Sequence, residues 1–149
     1  MSGSGPLRAH LVLASRFENI EVAERAFRDL CVEAGAAGDE IYWVVTALRE
    51  ALANAMRHGN RLEPRRSVQV GFAIDGSEVS IRVDDEGEGF DPTTIPDPTD
   101  PANLLRPSGR GIFYMQQFMN HVEFTRLPHG GTSVLMTRQL QPTMKENGT

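Results

Sequence analysis

The spacing of hydrophobic positions predicts one strand followed by a helix at the start of the chain. Residues 7–14 alternate in part and contain a short aliphatic run, as a half-buried strand does. Ser15 and Glu18 have the spacing of a capping box, in which each side chain accepts a hydrogen bond from a free backbone N–H, so the helix is expected to begin there. It should end near Gly35, and its apolar positions recur at helical steps: Ile20, Ala23, Phe27, Leu30 and Ala34.

Two further helices are predicted from the same kind of spacing. The second should begin after Gly38 with Asp39 as its cap and run to Gly59. Its apolar positions form a stripe: Ile41, Val44, Val45, Leu48, Leu52, Ala55 and Met56. The third should open after Gly111, with Ile112, Met115, Met119 and Val122 on one side.

Two hairpins complete the pattern. Period-two runs over residues 68–74 and 79–83 flank Asp75-Gly76, where glycine tolerates the positive φ of a tight turn, and another pair of runs brackets residues 128–131. Because Asp75-Gly76 joins neighbouring strands directly, a doubly wound parallel sheet fits poorly. The order of elements predicts an α+β fold, a two-layer α/β sandwich with a mixed, mostly antiparallel sheet covered on one face by three helices.

Length and composition narrow the class of protein. The 149 residues fit one domain, expected over residues 7–140 with disordered ends at 1–6 and 141–149. The net charge of -5 disfavours nucleic-acid binding through a broad basic surface, although a local basic patch stays possible. No apolar run approaches the roughly 20 residues of a membrane span, and the N-terminus lacks a signal peptide's apolar segment. We therefore expect a cytoplasmic protein without membrane contact.

The chain has a single cysteine, Cys31. One cysteine excludes an internal disulfide framework and cannot supply a cysteine-rich zinc site. Its neighbours at helical spacing, Phe27, Leu30 and Ala34, are apolar. We therefore expect a buried core thiol in place of a reactive one.

Candidate chemistry begins on the second helix, where Glu50, Asn54 and His58 are each four residues apart and share one polar face. A solvated helix face looks the same, so the triad alone does not establish a site. A lone histidine near a helix end is usually structural, and we assign His58 no chemistry.

Two glycine-containing segments follow. Asp85-Glu86-Gly87-Glu88-Gly89 comes directly after a strand; its glycines allow close backbone approach to a ligand and Asp85 can accept a hydrogen bond from an amine, although a plain polar turn looks similar. Gly109-Arg110-Gly111 precedes the third helix, where free N–H groups suit a phosphate. The dinucleotide fingerprint is not met, since Tyr114 stands at its third glycine position, and the Gly-Lys-Ser or Gly-Lys-Thr of a P-loop is absent.

Periodicity stops between these two segments. Residues 90–108 hold five of the nine prolines, Pro92, Pro96, Pro98, Pro101 and Pro107. Structureless loops of this length are uncommon in a compact domain and often cover a site, so a lid is expected there, with a plain surface excursion as the alternative.

Together these segments resemble the N, G1 and G2 boxes of the GHKL superfamily of ATPases and kinases. The boxes match, in order, Glu50 and Asn54, Asp85-x-Gly87-x-Gly89, and Gly109-x-Gly111, within a resemblance that spans residues 50–132. The short chain and its Glu-Ala-x-x-Asn-Ala-x-x-His-Gly segment are similar to the small anti-sigma factor serine kinases of sporulation and stress response. The resemblance implies the Bergerat, or histidine kinase-like ATPase, fold.

It also implies ATP and Mg²⁺ as ligands and a role for each matched residue. Asn54 would coordinate the Mg²⁺ that bridges the phosphates, and Glu50 would take the proton from an attacking serine hydroxyl. Asp85, backed by Thr132, would hydrogen-bond the adenine amino group. The remaining contacts would come from Gly87 and Gly89 near the base, Gly109 and Gly111 at the phosphates, and Arg106 or Arg110 near the γ-phosphate, although a solvated surface position is equally consistent for either arginine.

The implied partners are proteins. One is a STAS-type anti-anti-sigma protein phosphorylated on serine, and the other is an RNA polymerase sigma factor held inactive by a kinase homodimer. Two alternatives stay open: an ATP-regulated binding module without turnover, suggested by Asp-Pro steps in the lid at Asp91, Asp97 and Asp100, and a switch kinase acting on another signalling protein.

Overall fold

The described residues of the chain form a five-stranded sheet with three α-helices. The computed structural model describes residues 5–87 and 107–141, with the backbone alone for 107–110. The strand order is β1-β2-β3-β5-β4 and each neighbouring pair is antiparallel. The strands are β1 (Leu7–Ala14), β2 (Ser67–Asp75), β3 (Glu78–Asp84), β4 (His121–Arg126) and β5 (Thr132–Gln139), and the helices are α1 (Asn19–Ala34), α2 (Asp39–Asn54) and α3 (Pro107–Phe118), with a π-helical turn at Ala55–Gly59 continuing α2. The predicted α+β sandwich is confirmed, but in the described residues its sheet is antiparallel throughout and not mixed.

The core lies between the helices and one face of the sheet. Phe27 of α1 meets Phe72 of β2 with ring centroids 5.3 Å apart, and both side chains are buried. Along β2 the residues that alternate with Phe72 are exposed or half-buried, as expected for a sheet covered on one face. In the part of the chain that the structure describes, no helix combines the length and the apolar character that crossing a membrane requires.

Both predicted hairpins are present. Asp75 pairs with Glu78 across the first turn, where Gly76 has φ of +62°. Arg126 pairs with Thr132 across the second, where Gly130 has φ of +118°. These glycines occupy conformations that side-chain-bearing residues rarely adopt, which explains why the turns fall there.

The end of α1 was predicted correctly and its beginning was not. Gly35 ends the helix with φ of +77°, as a C-terminal glycine does. The capping box of Ser15 and Glu18 is wrong, because α1 begins at Asn19 and no side chain caps it. The buried Ser15 hydroxyl instead donates to the Arg66 carbonyl oxygen at 2.7 Å. The Ser15 hydroxyl therefore makes a tertiary hydrogen bond and does not cap α1, although its spacing predicted a cap.

The starts of α2 and α3 also differ from expectation. Asp39 is the first residue of α2 and not its cap, which is Gly38, with φ of +108° and no side-chain bond. Helix α3 begins at Pro107 and not after Gly111, and proline suits a first helical position because the N–H it lacks has no partner there. Residues 107–108 therefore belong to α3 and not to the predicted lid, whose other residues lie outside the described ranges.

Cys31 provides a test of the core. Its side chain is buried, as predicted, and burial raises the pKa of the thiol to about 11. Because the thiolate is the reactive form, we expect the native protein not to react with Ellman's reagent at neutral pH. In denaturant, one thiol per chain should react. Rapid labelling of the native protein would show that the region around Cys31 opens readily.

Candidate functional site

The ends of β3 and β5 meet at a buried carboxylate. Asp85, the residue after β3, is 5% exposed. Its Oδ1 accepts hydrogen bonds from the N–H groups of Gly87 at 3.0 Å and Thr132 at 3.1 Å. The Asp85 N–H in turn donates to the Thr132 carbonyl oxygen at 2.9 Å. The carboxylate position is therefore set by backbone groups of the segment after β3 and of the start of β5.

Three glycines allow the chain to close around Asp85. A Cβ added to Gly59 would overlap the Asp85 carboxylate, one on Gly87 would overlap the Gly59 carbonyl oxygen, and one on Gly131 would overlap the Asp85 carbonyl oxygen. Only glycine therefore permits these approaches. Gly87, predicted to approach a ligand, packs against Gly59. Sequence analysis did not assign Gly59 or Gly131 to the site, although the His-Gly and Gly-Gly-Thr segments that contain them were visible.

Burial also changes the acidity of Asp85. Desolvation raises the pKa of its carboxyl group above the usual range. The hydrogen bonds from Gly87 and Thr132 oppose this shift, nearby Asp84 adds to it, and Arg66 opposes it. The backbone donors therefore compensate only in part for the loss of water.

Beside this carboxylate lies Thr132, whose N–H donates to it. Thr132 is buried, and its Oγ1 has no hydrogen-bond partner among the residues that the structure describes. Buried polar atoms are normally satisfied, so a ligand is a physical explanation for the exception. A carboxylate acceptor and a hydroxyl that can donate or accept, side by side, suit a flat heterocycle that carries an amino group.

The second half of the site lies between α2 and α3. Glu50 and Asn54 are one turn apart on α2, and both are half-buried. A Cβ added to Gly111 of α3 would lie 3.2 Å from Asn54 Nδ2 and 3.5 Å from Glu50 Oε1. The structure therefore brings together Glu50, Asn54 and Gly111, which are distant in sequence.

A π-helical turn joins the two halves. It covers Ala55–Gly59, directly after Asn54, and the Asn60 N–H donates to the Ala55 carbonyl oxygen at 2.8 Å. The wider turn ends with Gly59 against Asp85. Such turns inside α-helices occur often at functional sites, because they change the direction of the residues that follow.

Asn60, which no sequence pattern assigned to the site, is fully buried. Its Nδ2 donates to Ser15 Oγ at 2.8 Å and to the Ser67 carbonyl oxygen at 3.0 Å. Its Oδ1 accepts from the N–H of Glu86 at 2.8 Å. Asn60 thus holds the backbone immediately after Asp85. Its place directly after His-Gly was the available signal, but its partners come from three other segments.

The other predicted site residues fall into two groups. Gly89 and Arg106 lie outside the described residues, and for Gly109 and Arg110 the structure gives a helical backbone at the start of α3. His58 is exposed in the π-helical turn, where no chemistry was expected of it. Within residues 5–87 and 107–141, no group of three or more His, Cys, Asp or Glu side chains could hold a metal ion by itself.

The raised pKa of Asp85 predicts how Asp85→Asn changes stability with pH. Asparagine keeps an oxygen for the two N–H donors and removes the buried charge. Since the folded-state pKa is above the unfolded one, the wild type loses stability as pH rises from the unfolded pKa through the folded pKa. The unfolding free energy of the variant relative to wild type should therefore rise over that window.

Urea unfolding at several pH values measures this difference. Asp75→Asn, in the exposed first hairpin, is the control for the loss of one carboxylate. The opposite result, in which the unfolding free energy of the wild type rises with pH relative to that of the Asp85 variant, would contradict this prediction. It would show that the hydrogen-bond donors stabilise the ionised carboxylate more than burial destabilises it.

Comparison with known proteins shows the family. Residues 13–138 match the family model of the histidine kinase-like ATPase domain. The Anti-sigma F factor of Oceanobacillus iheyensis is 32% identical over 134 residues, which cover 87% of this chain and 90% of that protein. The Anti-sigma F factor of Bacillus subtilis is 25% identical over 135 residues, covering 88% of this chain and 91% of that protein.

Solved structures share the fold. The SiaB–SiaC complex from Pseudomonas aeruginosa contains a chain that matches with a TM-score of 0.67 and 14% identity, over 87% of this chain and 88% of that one. The RsbU and RsbW domains of a Mycobacterium tuberculosis protein match with a TM-score of 0.63 and 20% identity, over 94% of this chain and 34% of that one. With the family model covering most of its length, this chain belongs to the GHKL-type family of histidine kinase-like ATPase domains.

Proposed function

We propose that this protein is an ATP-dependent protein-serine kinase that also acts as an anti-sigma factor. Membership of an ATPase-domain family implies ATP as the nucleotide. The observation that carries the proposal is the buried pair of Asp85 and the Thr132 hydroxyl, which has no hydrogen-bond partner in the described part of the chain. The π-helical turn connects this pair to Glu50 and Asn54. We therefore propose that the Asp85 end of the site binds the adenine and that the Asn54 end binds the phosphates.

At the adenine end, Asp85 and Thr132 would each bind a different group of the adenine ring. Oδ1 of Asp85 is engaged by two backbone donors, so Oδ2 is the acceptor for the adenine amino group. The Thr132 hydroxyl would donate to a ring nitrogen of the base. Gly87 keeps the turn narrow by packing on Gly59, and we propose that Gly89 lies along the base.

At the phosphate end, the side-chain oxygen of Asn54 is a suitable Mg²⁺ ligand, because hard cations prefer oxygen. We propose that Gly109, with a first-turn N–H free of intrahelical bonding, and Gly111 face the phosphates. Arg106 or Arg110 would add positive charge near the γ-phosphate. The lid would then cover residues 90–106, within a domain spanning residues 7–140.

Glu50 would provide general base catalysis. ATP supplies the phosphoryl group, and Mg²⁺ neutralises charge on it. The Glu50 carboxylate would accept the proton of a substrate serine as the serine oxygen bonds to the γ-phosphorus, while the bond to the β–γ bridging oxygen breaks and ADP leaves. Its place one helical turn before Asn54 supports this role, since the base must act close to the metal-bound phosphate.

We propose protein partners on the basis of the relatives. Two relatives are named Anti-sigma F factor, and a solved structure with the same fold is a complex of SiaB with SiaC. For this chain we propose a STAS-type anti-anti-sigma protein as the phosphorylated substrate and an RNA polymerase sigma factor as the sequestered partner. The active form would be a cytoplasmic homodimer.

The unpartnered hydroxyl predicts opposite effects of Thr132→Val on stability and on binding. Valine has the same shape and removes a buried, unsatisfied oxygen, so the melting temperature without nucleotide should stay the same or rise. The Kd for ATP should rise by up to about tenfold, the value of one neutral hydrogen bond. Thermal unfolding and calorimetric titration measure the two effects.

Thr125→Val, on the exposed part of β4, is the matched control and should change neither quantity. A Thr132→Val protein that binds ATP like wild type would remove Thr132 from the site.

Glu50→Gln tests the kinase. Glutamine keeps the size of the side chain but cannot take up a proton, so phosphoserine formation on a cognate STAS protein should slow by roughly 10²- to 10⁴-fold with ATP affinity preserved. The measurement is transfer of radiolabelled phosphate from ATP in the presence of Mg²⁺. Glu33→Gln, at an exposed position of α1, is the control.

Two results would change the conclusion in different ways. Wild-type protein that binds ATP but never forms phosphoserine would indicate an ATP-regulated binding module. Transfer to a signalling protein outside the sigma-factor system would indicate a switch kinase. A pull-down with and without ATP identifies the partner in either case.

A further inference from the structure

The C-terminal end of α3 is tied to α2 and β5 by a cluster that we call the Arg138 clamp, formed by Glu40, Trp43, Phe118 and Arg138. Arg138 Nε donates to Glu40 Oε1 at 2.9 Å, and Nη2 lies 2.9 Å from the same oxygen. Nη1 donates to the Phe118 carbonyl oxygen. The guanidinium carbon lies 5.1 Å from the centre of the Trp43 ring. One side chain therefore contacts two helices.

The clamp continues as a stack of aromatic rings. Trp43 and Phe118 have ring centroids 6.5 Å apart and planes 12° apart, and Phe118 and Tyr114 have centroids 6.2 Å apart and planes 11° apart. Trp43 is the only tryptophan of the chain. Its fluorescence is therefore a specific report on the contact between α2 and α3.

The clamp and the site lie at opposite ends of the same pair of helices. Phe118 of α3 stacks on Trp43 near the start of α2, while Gly111 of α3 lies against Asn54 at the end of α2. The two helices are therefore antiparallel and are fixed at both ends. A shift of α3 at the clamp changes the spacing between Gly111 and Asn54, because a helix moves as a rigid element.

We infer that Arg138 is a positioning residue for the phosphate end of the nucleotide site, acting through α3. Arg138 and Glu40 are mostly buried, with side chains 16% and 17% exposed. Lysine could keep the ion pair, but it lacks the planar fork that serves Glu40 and the Phe118 carbonyl together while lying on Trp43. The adenine end is formed by strand ends and by the turn after α2, and not by α3. The inference rests on the proposed ATP site.

The variant Arg138→Lys tests it through two ligands. Adenosine can reach only the Asp85 end of the site, whereas ATP occupies both ends. We expect the variant to lose roughly tenfold in affinity for ATP with Mg²⁺, and to bind adenosine as the wild type does. The Trp43 emission spectrum should change even without ligand, because the cation leaves its ring. Calorimetric titration and fluorescence provide the measurements.

Arg82→Lys is the matched control, since Arg82 lies in the same sheet, is exposed, and pairs with Asp84 and the Ser133 hydroxyl. It should change neither the ratio of the two affinities nor the emission of Trp43. Phe118→Leu is a second variant that removes the stack and keeps the backbone carbonyl. It should also lower the affinity for ATP relative to that for adenosine. An unchanged ratio of the two affinities in both Arg138→Lys and Phe118→Leu would overturn the inference.

Equal losses for ATP and adenosine in Arg138→Lys would also overturn it, because they would show a general loss of folded protein. Failure of the wild type to bind ATP would instead reject the proposed function. If the wild type and both clamp variants bind ATP equally well, only the role of Arg138 is rejected.

Discussion

The site depends on one buried carboxylate held by backbone donors. Asp85 loses nearly all contact with water, and the N–H groups of Gly87 and Thr132 return only part of the lost solvation. This arrangement needs close backbone approach, which is why glycines stand at 59 and 131 as well as at 87. The requirement links the end of β3, the start of β5 and the end of the second helix in one place.

The sheet order makes this convergence possible. Because β5 lies between β3 and β4, the residue after β3 and the first residue of β5 become neighbours. The helix pair then adds a second polar centre, with Gly111 against Glu50 and Asn54. The pair of Asp85 and Thr132 and the pair of Glu50 and Asn54 therefore lie on different elements of the fold.

Local sequence patterns succeeded where a single element determines the outcome. The strand at residues 7–14, the glycine at the end of α1 and the turn at Gly76 follow from periodicity and backbone freedom alone. They failed where a distant group competes. Ser15 has the spacing of a helix cap, yet its hydroxyl bonds to Arg66 and accepts from Asn60. For Gly87 the motif predicted a ligand contact, and the structure adds a close approach to Gly59 that the motif did not indicate.

The amino-acid sequence by itself determined the α+β fold class, the family and the order of the boxes that contain Glu50, Asn54 and Asp85. Only the tertiary structure decided how these residues meet, because the decisive contacts join segments far apart. Asp85 and Thr132 are 47 positions apart, and Asn60 bonds to Glu86 across 26. Residue spacing predicts which positions are buried, but it does not predict which buried groups contact each other. It also did not predict that the Thr132 hydroxyl would have no hydrogen-bond partner among the described residues.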